Sequence, residues 1–233
     1  KSEEEGTITD TLPFLFSLND LDVHSGLDPA TARSLERVVS LHALRIPRYY
    51  LDLIDFSNPL CPIRGQAIPS LAEDGEGGSE VPLGEEGISL TPILLRRHPD
   101  RCVFLVSSEC AMYCRFCNRR RFAGKLVDPE PYLEESYAVI ENDASIREVI
   151  LSGGDPLMLK AEKLRSILER LRSMEKRLVI RLSTRVPVVC PDALSVEHVK
   201  AIEAASPVWV VLHINHPREI TDRSLAAIAS IRN

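Results

Sequence analysis

Three closely spaced cysteines are the residues of this sequence with the clearest chemical potential. Cys110, Cys114 and Cys117 stand at C-x3-C-x2-C spacing, so three thiols lie within eight residues. A short loop with this spacing can turn its sulfurs inward to hold three irons of a [4Fe–4S] cube, whereas a protein that ligates all four irons supplies a fourth cysteine. The spacing therefore predicts a cube with one iron open to a small ligand. A zinc site that lacks one ligand and a simple electron carrier stay open as alternatives.

The remaining cysteines, Cys61, Cys102 and Cys190, stand alone in apolar or proline-flanked surroundings. Such positions are typical of buried or incidental thiols. A disulfide framework is disfavoured, because three of the six cysteines are clustered and a chain of 233 residues can bury its own core.

The elements that must position the cysteines begin at residue 101, where short apolar strands alternate with amphipathic helices. The predicted strands are 102–106, 148–151, 178–182 and 208–213, and the predicted helices are 131–142, 160–173, 195–205 and 221–231. Four successive βα units predict an α/β fold with a parallel sheet, because a right-handed crossover places each strand beside the next.

The unusual residues of the sequence follow these strands one after another. The cysteine loop comes after the first strand, Ser152-Gly-Gly-Asp155 after the second, Ser183 and Arg185 after the third, and His213-Ile-Asn-His216 after the fourth. Because ligands of such sheets bind at the carboxyl ends of the strands, we expect one site at this edge. Individually, the glycines could form only a tight turn and the histidines could be ordinary strand-end residues.

Residues 1–100 are predicted to form a helical and irregular N-terminal extension to a core over 101–233. A helix is expected to begin at Asp28-Pro29 and to end at Pro47, and a second short helix is expected over 49–54. The proline-, glycine- and glutamate-rich run 59–87 is predicted to be a long loop.

The composition limits the partners of the chain. A formal net charge of −6 argues against a general nucleic-acid or anionic-membrane surface, so any anion site must be local. Arg119-Arg-Arg121 is the candidate for such a site, with a solvated basic turn as the alternative. No run approaches the roughly 18 apolar residues of a membrane span, and the acidic start is unlike a signal peptide. A cytoplasmic protein is therefore expected.

The cysteine motif, with the aromatic Phe116 before its last cysteine, resembles that of the radical S-adenosylmethionine (SAM) superfamily. That resemblance implies a partial (β/α)6 barrel with four of its units present, in which SAM chelates the open iron and the reduced cluster cleaves it to a 5′-deoxyadenosyl radical. From about residue 45 onward the chain resembles the lysine 2,3-aminomutase family. The segments that carry this second resemblance are Pro47-Arg-Tyr-Tyr-Leu-Asp-Leu-Ile-Asp55, Pro62-Ile-Arg64, His98-Pro-Asp-Arg101, Met112-Tyr-Cys-Arg115, Arg119-Arg-Arg-Phe-Ala-Gly124, Leu151-Ser-Gly-Gly-Asp155, Thr184-Arg-Val-Pro-Val188 and Asn215-His-Pro-Arg-Glu-Ile-Thr221.

The aminomutase resemblance implies an enzyme that uses SAM and pyridoxal 5′-phosphate (PLP) to move an amino group from the α to the β carbon of an amino acid. The expected partners are the amino acid substrate, an external electron donor such as flavodoxin or ferredoxin, and further copies of the chain in a homo-oligomer. A translation-factor β-lysylation enzyme, a glutamate 2,3-aminomutase and a non-catalytic cluster-binding or regulatory protein stay open as alternatives.

The same resemblance assigns roles to individual residues. Arg97 and Arg101 are expected near the PLP phosphate, and Arg119 is expected to bind the substrate carboxylate. At Gly153 and Gly154, the absence of a Cβ would let SAM approach the backbone. The SAM site as a whole is expected to include Phe116, Ser152, Gly153, Gly154, Asp155, Ser183, Arg185, His213 and Asn215.

The chain departs from the family pattern in one respect. The family core has six βα units, and its PLP-binding lysine and the acidic residues that recognise the substrate side chain lie in the last part. No lysine follows Lys200, so no catalytic lysine is assigned and the sequence is expected to be a fragment.

Overall fold

The computed structural model describes residues 14–18, 29–75, 79, 81–121, 124 and 128–232. The described strands are β1 (Phe14–Leu15), β2 (Ile46–Pro47), β3 (Ser89–Thr91), β4 (Leu94–His98), β5 (Arg101–Ser107), β6 (Glu148–Gly153), β7 (Val179–Thr184) and β8 (Val208–Leu212). The described α-helices are α1 (Pro29–Leu41), α2 (Arg48–Leu51), α3 (Arg64–Ala67), α4 (Leu133–Asn142), α5 (Ala161–Arg172), α6 (Val186–Val189), α7 (Val196–Ala204) and α8 (Asp222–Ile231).

A six-stranded sheet in the order β3-β4-β5-β6-β7-β8 organises the fold. Strands β5 to β8 are parallel, and Cys102, Val149, Ile180 and Val208 are successive partners across them. Four βα units and the α/β class are thereby confirmed. In the described part of the chain the sheet stays open, with β8 paired only to β7.

Strands β3 and β4 were not predicted. They run antiparallel to each other, and β4 pairs antiparallel with β5 through Leu94 and Phe104, so the sheet extends to the N-terminal side of residue 100. Both strands are short and interrupted by register shifts, which weakens the alternation that a sequence pattern can show. The domain boundary at residue 100 stays a prediction.

Helix α5 illustrates why the core elements form where the sequence places them. Leu164, Ile167, Leu168 and Leu171 recur at helical spacing and are all buried. Arg170 and other basic side chains lie in the last turn, where they interact favourably with the helix dipole. The predicted boundaries of 160–173 are therefore confirmed to within a residue.

The N-terminal extension differs from prediction in its details. Helix α1 ends at Leu41, so the expectation that it continues to Pro47 was wrong. The buried guanidinium of Arg115 accounts for the early end, because it donates to the carbonyls of His42 and Ala43 at 3.1 Å each. The predicted capping residue Asp28 lies outside the described residues.

The second predicted helix, over 49–54, is shorter than expected, because α2 ends at Leu51. The loop predicted over 59–87 contains α3 and two 3-10 turns, Leu71–Asp74 and Glu85–Ile88. The three isolated cysteines, Cys61, Cys102 and Cys190, are buried free thiols, as predicted.

Strand β8 leaves much of its side-chain surface exposed. Trp209 is 66% exposed and Val211 is 43% exposed, although both are large apolar residues. Within the described residues, no helix is both long and apolar enough to cross a membrane.

Candidate active site

The carboxyl ends of β5 to β8 surround a cavity of about 570 Å³. Register explains the convergence, because Ser107 pairs with Gly153 and Thr184 pairs with Leu212 at these ends. The cavity is lined by twelve of the residues that the sequence analysis assigned to a site: Cys110, Cys114, Phe116, Cys117, Arg119, Ser152, Gly153, Gly154, Asp155, Ser183, Arg185 and His213.

The glycine turn after β6 packs directly against the stem of the cysteine loop. Gly154 N donates to Ser107 O at 2.6 Å, and Asp155 N donates to Glu109 O at 2.7 Å. A Cβ on Gly153 would lie 2.3 Å from Ser107 O, and one on Gly154 would lie 2.3 Å from Glu109 O. Gly153 also has a φ of +120°, which disfavours other residues. Glycine is therefore required here by the protein's own backbone, a reason that the sequence analysis did not identify.

Asp155 ties this turn to the end of β7. Its Oδ1 accepts from Leu157 N and from Thr184 Oγ1, and its Oδ2 accepts from the backbone N–H groups of Arg185 and Val186, at 2.7 to 3.2 Å. Burial raises the pKa of Asp155, whereas these four donors favour the ionised carboxylate. The carboxylate therefore positions two of the turns that line the cavity, and its contact with SAM stays a prediction.

The three clustered cysteines share the cavity wall. Desolvation raises the pKa of Cys110 and of Cys114, and Arg185 opposes that rise at Cys114. Iron binding must therefore displace protons from these thiols. No three His, Cys, Asp or Glu side chains of the described ranges meet closely enough to ligate one metal ion. A cube does not require such convergence, since each of its thiolates binds a different iron, so the donor set fits a cluster.

Arg185 is buried beside the cysteine loop. Its Nη1 donates to Cys114 Sγ at 2.8 Å, and its Nη2 donates to Gln66 Oε1 at 2.7 Å and to Glu219 Oε1 at 2.6 Å. Arg185 Nε is buried and has no acceptor among the described residues. This side chain faces the cavity, but these three hydrogen bonds all go to other residues of the chain.

Phe116 and His213 form an exposed wall of the cavity. Their ring centroids lie 5.7 Å apart in an edge-to-face arrangement, and Phe116 is 42% exposed. His213 Nε2 is hydrogen-bonded to Asn215 Oδ1 at 2.7 Å. Asn215 does not itself line the cavity, because its Nδ2 turns to Gln66 Oε1 at 2.9 Å.

Arg119 is paired with a buried carboxylate. Its Nε donates to Glu85 Oε1 at 2.7 Å, and Arg121 Nη2 donates to Glu85 Oε2 at 3.0 Å. Arg120 pairs with Glu73 at 3.5 Å. Each of the three arginines is therefore paired with a carboxylate, and the guanidinium of Arg119 already holds the kind of group that it was predicted to bind.

Arg101 lies away from the cavity, whereas Arg97 contacts one of its lining residues, Leu83. Both arginines flank the turn between β4 and β5, at the opposite end of β5 from Ser107, where Arg101 pairs with Asp100 at 3.0 Å and Arg97 donates to Leu83 O. Neither arginine lines the cavity. Their assignment to the PLP phosphate stays a prediction.

Tyr50, Gln66 and Glu219 are buried polar residues next to the site that the sequence analysis did not single out. Tyr50 Oη donates to Glu219 Oε1 at 2.6 Å, across 169 positions of sequence. Burial alone would raise the pKa of Glu219, but hydrogen bonds from Tyr50 and Asn215 and the charge of Arg185 together hold it below its ordinary value. No local pattern could have identified these residues, because their partners are distant in sequence.

The fold and the cysteine-lined cavity agree with the comparisons to known proteins. The chain belongs to the Radical SAM superfamily, whose sequence profile matches residues 104–231, more than half of the chain. The resemblance to lysine 2,3-aminomutases is also confirmed. The chain is 40% identical over 216 residues to the L-lysine 2,3-aminomutase of Acetoanaerobium sticklandii, covering 91% of this chain and 52% of that protein.

Two further relatives show how the similarity extends. The L-lysine 2,3-aminomutase of Clostridium subterminale is 40% identical over 188 residues, covering 79% of this chain and 45% of that protein. The glutamate 2,3-aminomutase of Clostridioides difficile is 34% identical over 222 residues, covering 93% of this chain and 53% of that protein. The chain spans about half the length of the curated relatives it matches.

Proposed function

We propose that this chain contributes the radical-generating half of an amino-acid 2,3-aminomutase of the lysine type, which uses a [4Fe–4S] cluster, SAM and PLP. The observation that carries the proposal is the cavity itself. Three cysteines, the glycine turn and a carboxylate-binding arginine meet at the carboxyl ends of four parallel strands. The similarity to lysine and glutamate aminomutases supports the reaction class.

The cysteine loop and the strand ends would bind different groups. Cys110, Cys114 and Cys117 would hold the cluster, and the turns after β6 and β7 would hold SAM beside it. When bound, the cluster and SAM supply a 5′-deoxyadenosyl radical. The chain's own residues fix where that chemistry occurs, because backbone hydrogen bonds between the glycine turn and the cysteine loop set the distance between the two binding surfaces.

Arg119 supports an amino acid as substrate. A guanidinium is suited to binding a carboxylate, and Arg119 Nε and Nη2 both lie 2.7 Å from Glu85 Oε1. The backbone N–H of the same residue donates to Cys117 Sγ at 3.3 Å, so a carboxylate bound there lies next to the cluster loop. Lysine is preferred over glutamate as the substrate because the lysine aminomutases reported above are the more similar relatives.

The PLP part of the proposal is supported by the resemblance alone. Among the described residues, no lysine lines the cavity, and neither does either arginine expected near the phosphate, although Arg97 donates to the lining residue Leu83. An external one-electron donor and a homo-oligomeric state are likewise proposed from the resemblance.

The test is anaerobic reconstitution of the full-length protein with iron and sulfide, followed by reduction in the presence of SAM. We expect 5′-deoxyadenosine, and with PLP and L-lysine we expect a β-amino acid product. Glutamate in place of lysine tests the alternative substrate. Absence of 5′-deoxyadenosine from a cluster-loaded protein would sink the radical SAM proposal. Its formation without a β-amino acid from either substrate would sink the aminomutase proposal.

Two cysteine variants test the ligand assignment. Cys114→Ala should abolish the charge-transfer absorbance near about 400 nm that is typical of iron–sulfur clusters. Cys102→Ala is the matched control, because Cys102 is a buried free thiol of β5 that does not line the cavity. An unchanged spectrum in Cys114→Ala would show that other thiols hold the iron.

A further inference from the structure

The buried guanidinium of Arg185 lies beside the sulfur of Cys114, one of the predicted cluster ligands. Its Nη1 lies 2.8 Å from Cys114 Sγ, and the residue is only 8% exposed. A guanidinium stays protonated at every working pH. Because water is largely excluded, its charge acts on the sulfur through a lower effective dielectric than at the surface. Cys114 Sγ therefore faces a permanent cation.

The other two sulfurs lack such a partner. Cys117 Sγ accepts the backbone N–H of Arg119 at 3.3 Å. Cys110 Sγ accepts no hydrogen bond from the part of the chain that the structure describes. The arginine contact therefore distinguishes Cys114 from Cys110 and Cys117, and a cluster held by the three cysteines would have this positive charge on the side of Cys114.

The guanidinium is held in place by acceptors from two separate parts of the chain. Gln66 Oε1, in α3, and Glu219 Oε1, after β8, both accept from Nη2. Tyr50 Oη donates to the same Glu219 oxygen, and Asn215 Nδ2 donates to the same Gln66 oxygen. Because each acceptor is itself held, the direction of Nη1 toward the sulfur is set by the fold rather than by the side chain's own flexibility.

The carboxylate of Glu219 opposes part of the arginine's effect. It is fully buried and negatively charged, so it lowers the net positive potential at the site. Its bond is to Nη2, however, whereas the sulfur is bonded to Nη1, so the nearest charged group to the sulfur is the cation. Hydrogen bonds to cluster sulfurs are one of the means by which proteins adjust cluster potentials.

We propose that Arg185 is a positioning residue that raises the reduction potential of the cluster held by Cys110, Cys114 and Cys117. It stabilises the extra negative charge that accompanies uptake of one electron from an external donor, and no bond forms or breaks in that step. The inference rests on the proposed function only to the extent that these cysteines hold a cluster.

The test is a redox titration of the reconstituted full-length protein, monitored by absorbance and electron paramagnetic resonance. At the wild-type midpoint potential, Arg185→Met should show a ratio of reduced to oxidised cluster about tenfold lower, equivalent to about 59 mV for a one-electron couple. Arg185→Gln, which is also neutral but keeps polar atoms for the buried acceptors, should shift in the same direction. Tyr50→Phe is the control, because it removes a buried hydrogen bond to Glu219 but keeps the ring beside the Arg185 guanidinium, while Gln66 and Glu219 still accept from Nη2 and hold Nη1 toward the sulfur.

The control separates loss of packing from loss of charge at the sulfur. Tyr50→Phe should lower the Tm while changing the ratio of reduced to oxidised cluster by less than about twofold. A cluster-loaded neutral variant with the wild-type midpoint would overturn the inference, as would failure of both neutral variants to hold a cluster, since Arg185 would then serve assembly. If the wild-type protein itself holds no cluster, the proposed function fails first.

Discussion

Substitution of Gly154 by alanine tests how the glycine turn and the cysteine loop are joined. The new Cβ would lie 2.3 Å from Glu109 O, 2.7 Å from Glu109 C and 2.8 Å from Ser108 C. All three atoms belong to backbone, so no side-chain rotation can relieve the contact. The cysteine loop must move away from β6, and it can do so only by lengthening the hydrogen bonds that join them.

The size of the effect follows from the contacts that would be lost. Overpacking of a well-packed interior costs about 1–3 kcal/mol. Loss of the Asp155 N to Glu109 O bond, which is 2.7 Å long, leaves buried polar groups unsatisfied at a further cost of about 1–3 kcal/mol. Together these costs predict a loss of about 2–6 kcal/mol in the free energy of unfolding. For a domain of about 150–250 residues, this corresponds to a fall in Tm of about 4–24 °C.

The assay is thermal unfolding of the full-length protein, with iron and sulfide content measured on the same preparations. Gly65→Ala is the matched control, because Gly65 lies in α3 and a Cβ there would meet nothing within 4 Å. The control should be as stable as the wild type or slightly more so, since alanine favours helix. Wild-type Tm and cluster content in Gly154→Ala would refute the packing argument.

Two further substitutions test buried carboxylates near the site. Glu85→Gln removes the charge that pairs with Arg119 and should destabilise the protein by about 3 kcal/mol in denaturant unfolding, whereas the exposed neighbour variant Glu86→Gln should change stability by less than about 0.5 kcal/mol; equal effects would contradict the pairing. The pKa of Glu219 is held below its ordinary value of 4.5, so its stabilising effect is present above that pH and is lost as the pH falls further. Glu219→Gln should therefore lower the free energy of unfolding at neutral pH, because Arg185 loses its carboxylate partner. The variant should also lose less stability than the wild type as the pH falls below 4.5, and an equal loss in the two proteins would contradict this.

Much of the parallel core was predictable because local pattern and tertiary structure agree there. The apolar residues of α5 recur at helical spacing, whereas the four strands are short apolar runs rich in β-branched residues, a length and composition that favour strands. Parallel order then follows from connection length and handedness. Strand β3 was missed because it has only three residues, and β4 was missed because its sequence Leu94-Leu-Arg-Arg-His98 does not alternate between apolar and polar side chains.

The end of α1 was placed too late for a different reason. Pro47 is a strong local signal for the end of a helix, but α1 already ends at Leu41. The guanidinium of Arg115 donates to the carbonyls of His42 and Ala43, just beyond that end. A contact across more than seventy positions decided the boundary. Such competition from tertiary contacts is invisible to any local rule.

The sequence by itself determined which residues could do chemistry and that they would meet, because spacing sets the cysteine motif and strand order sets the common edge. Tertiary structure alone decided what each residue contacts there. It placed Gly154 against the backbone of the cysteine loop, Arg119 against a buried carboxylate and Arg185 against the sulfur of a predicted cluster ligand. It also placed Arg101 at the opposite end of β5 from the cavity. Hydrogen bonds act over a few ångströms between residues that are far apart in sequence, so these partners are known only once the chain is folded.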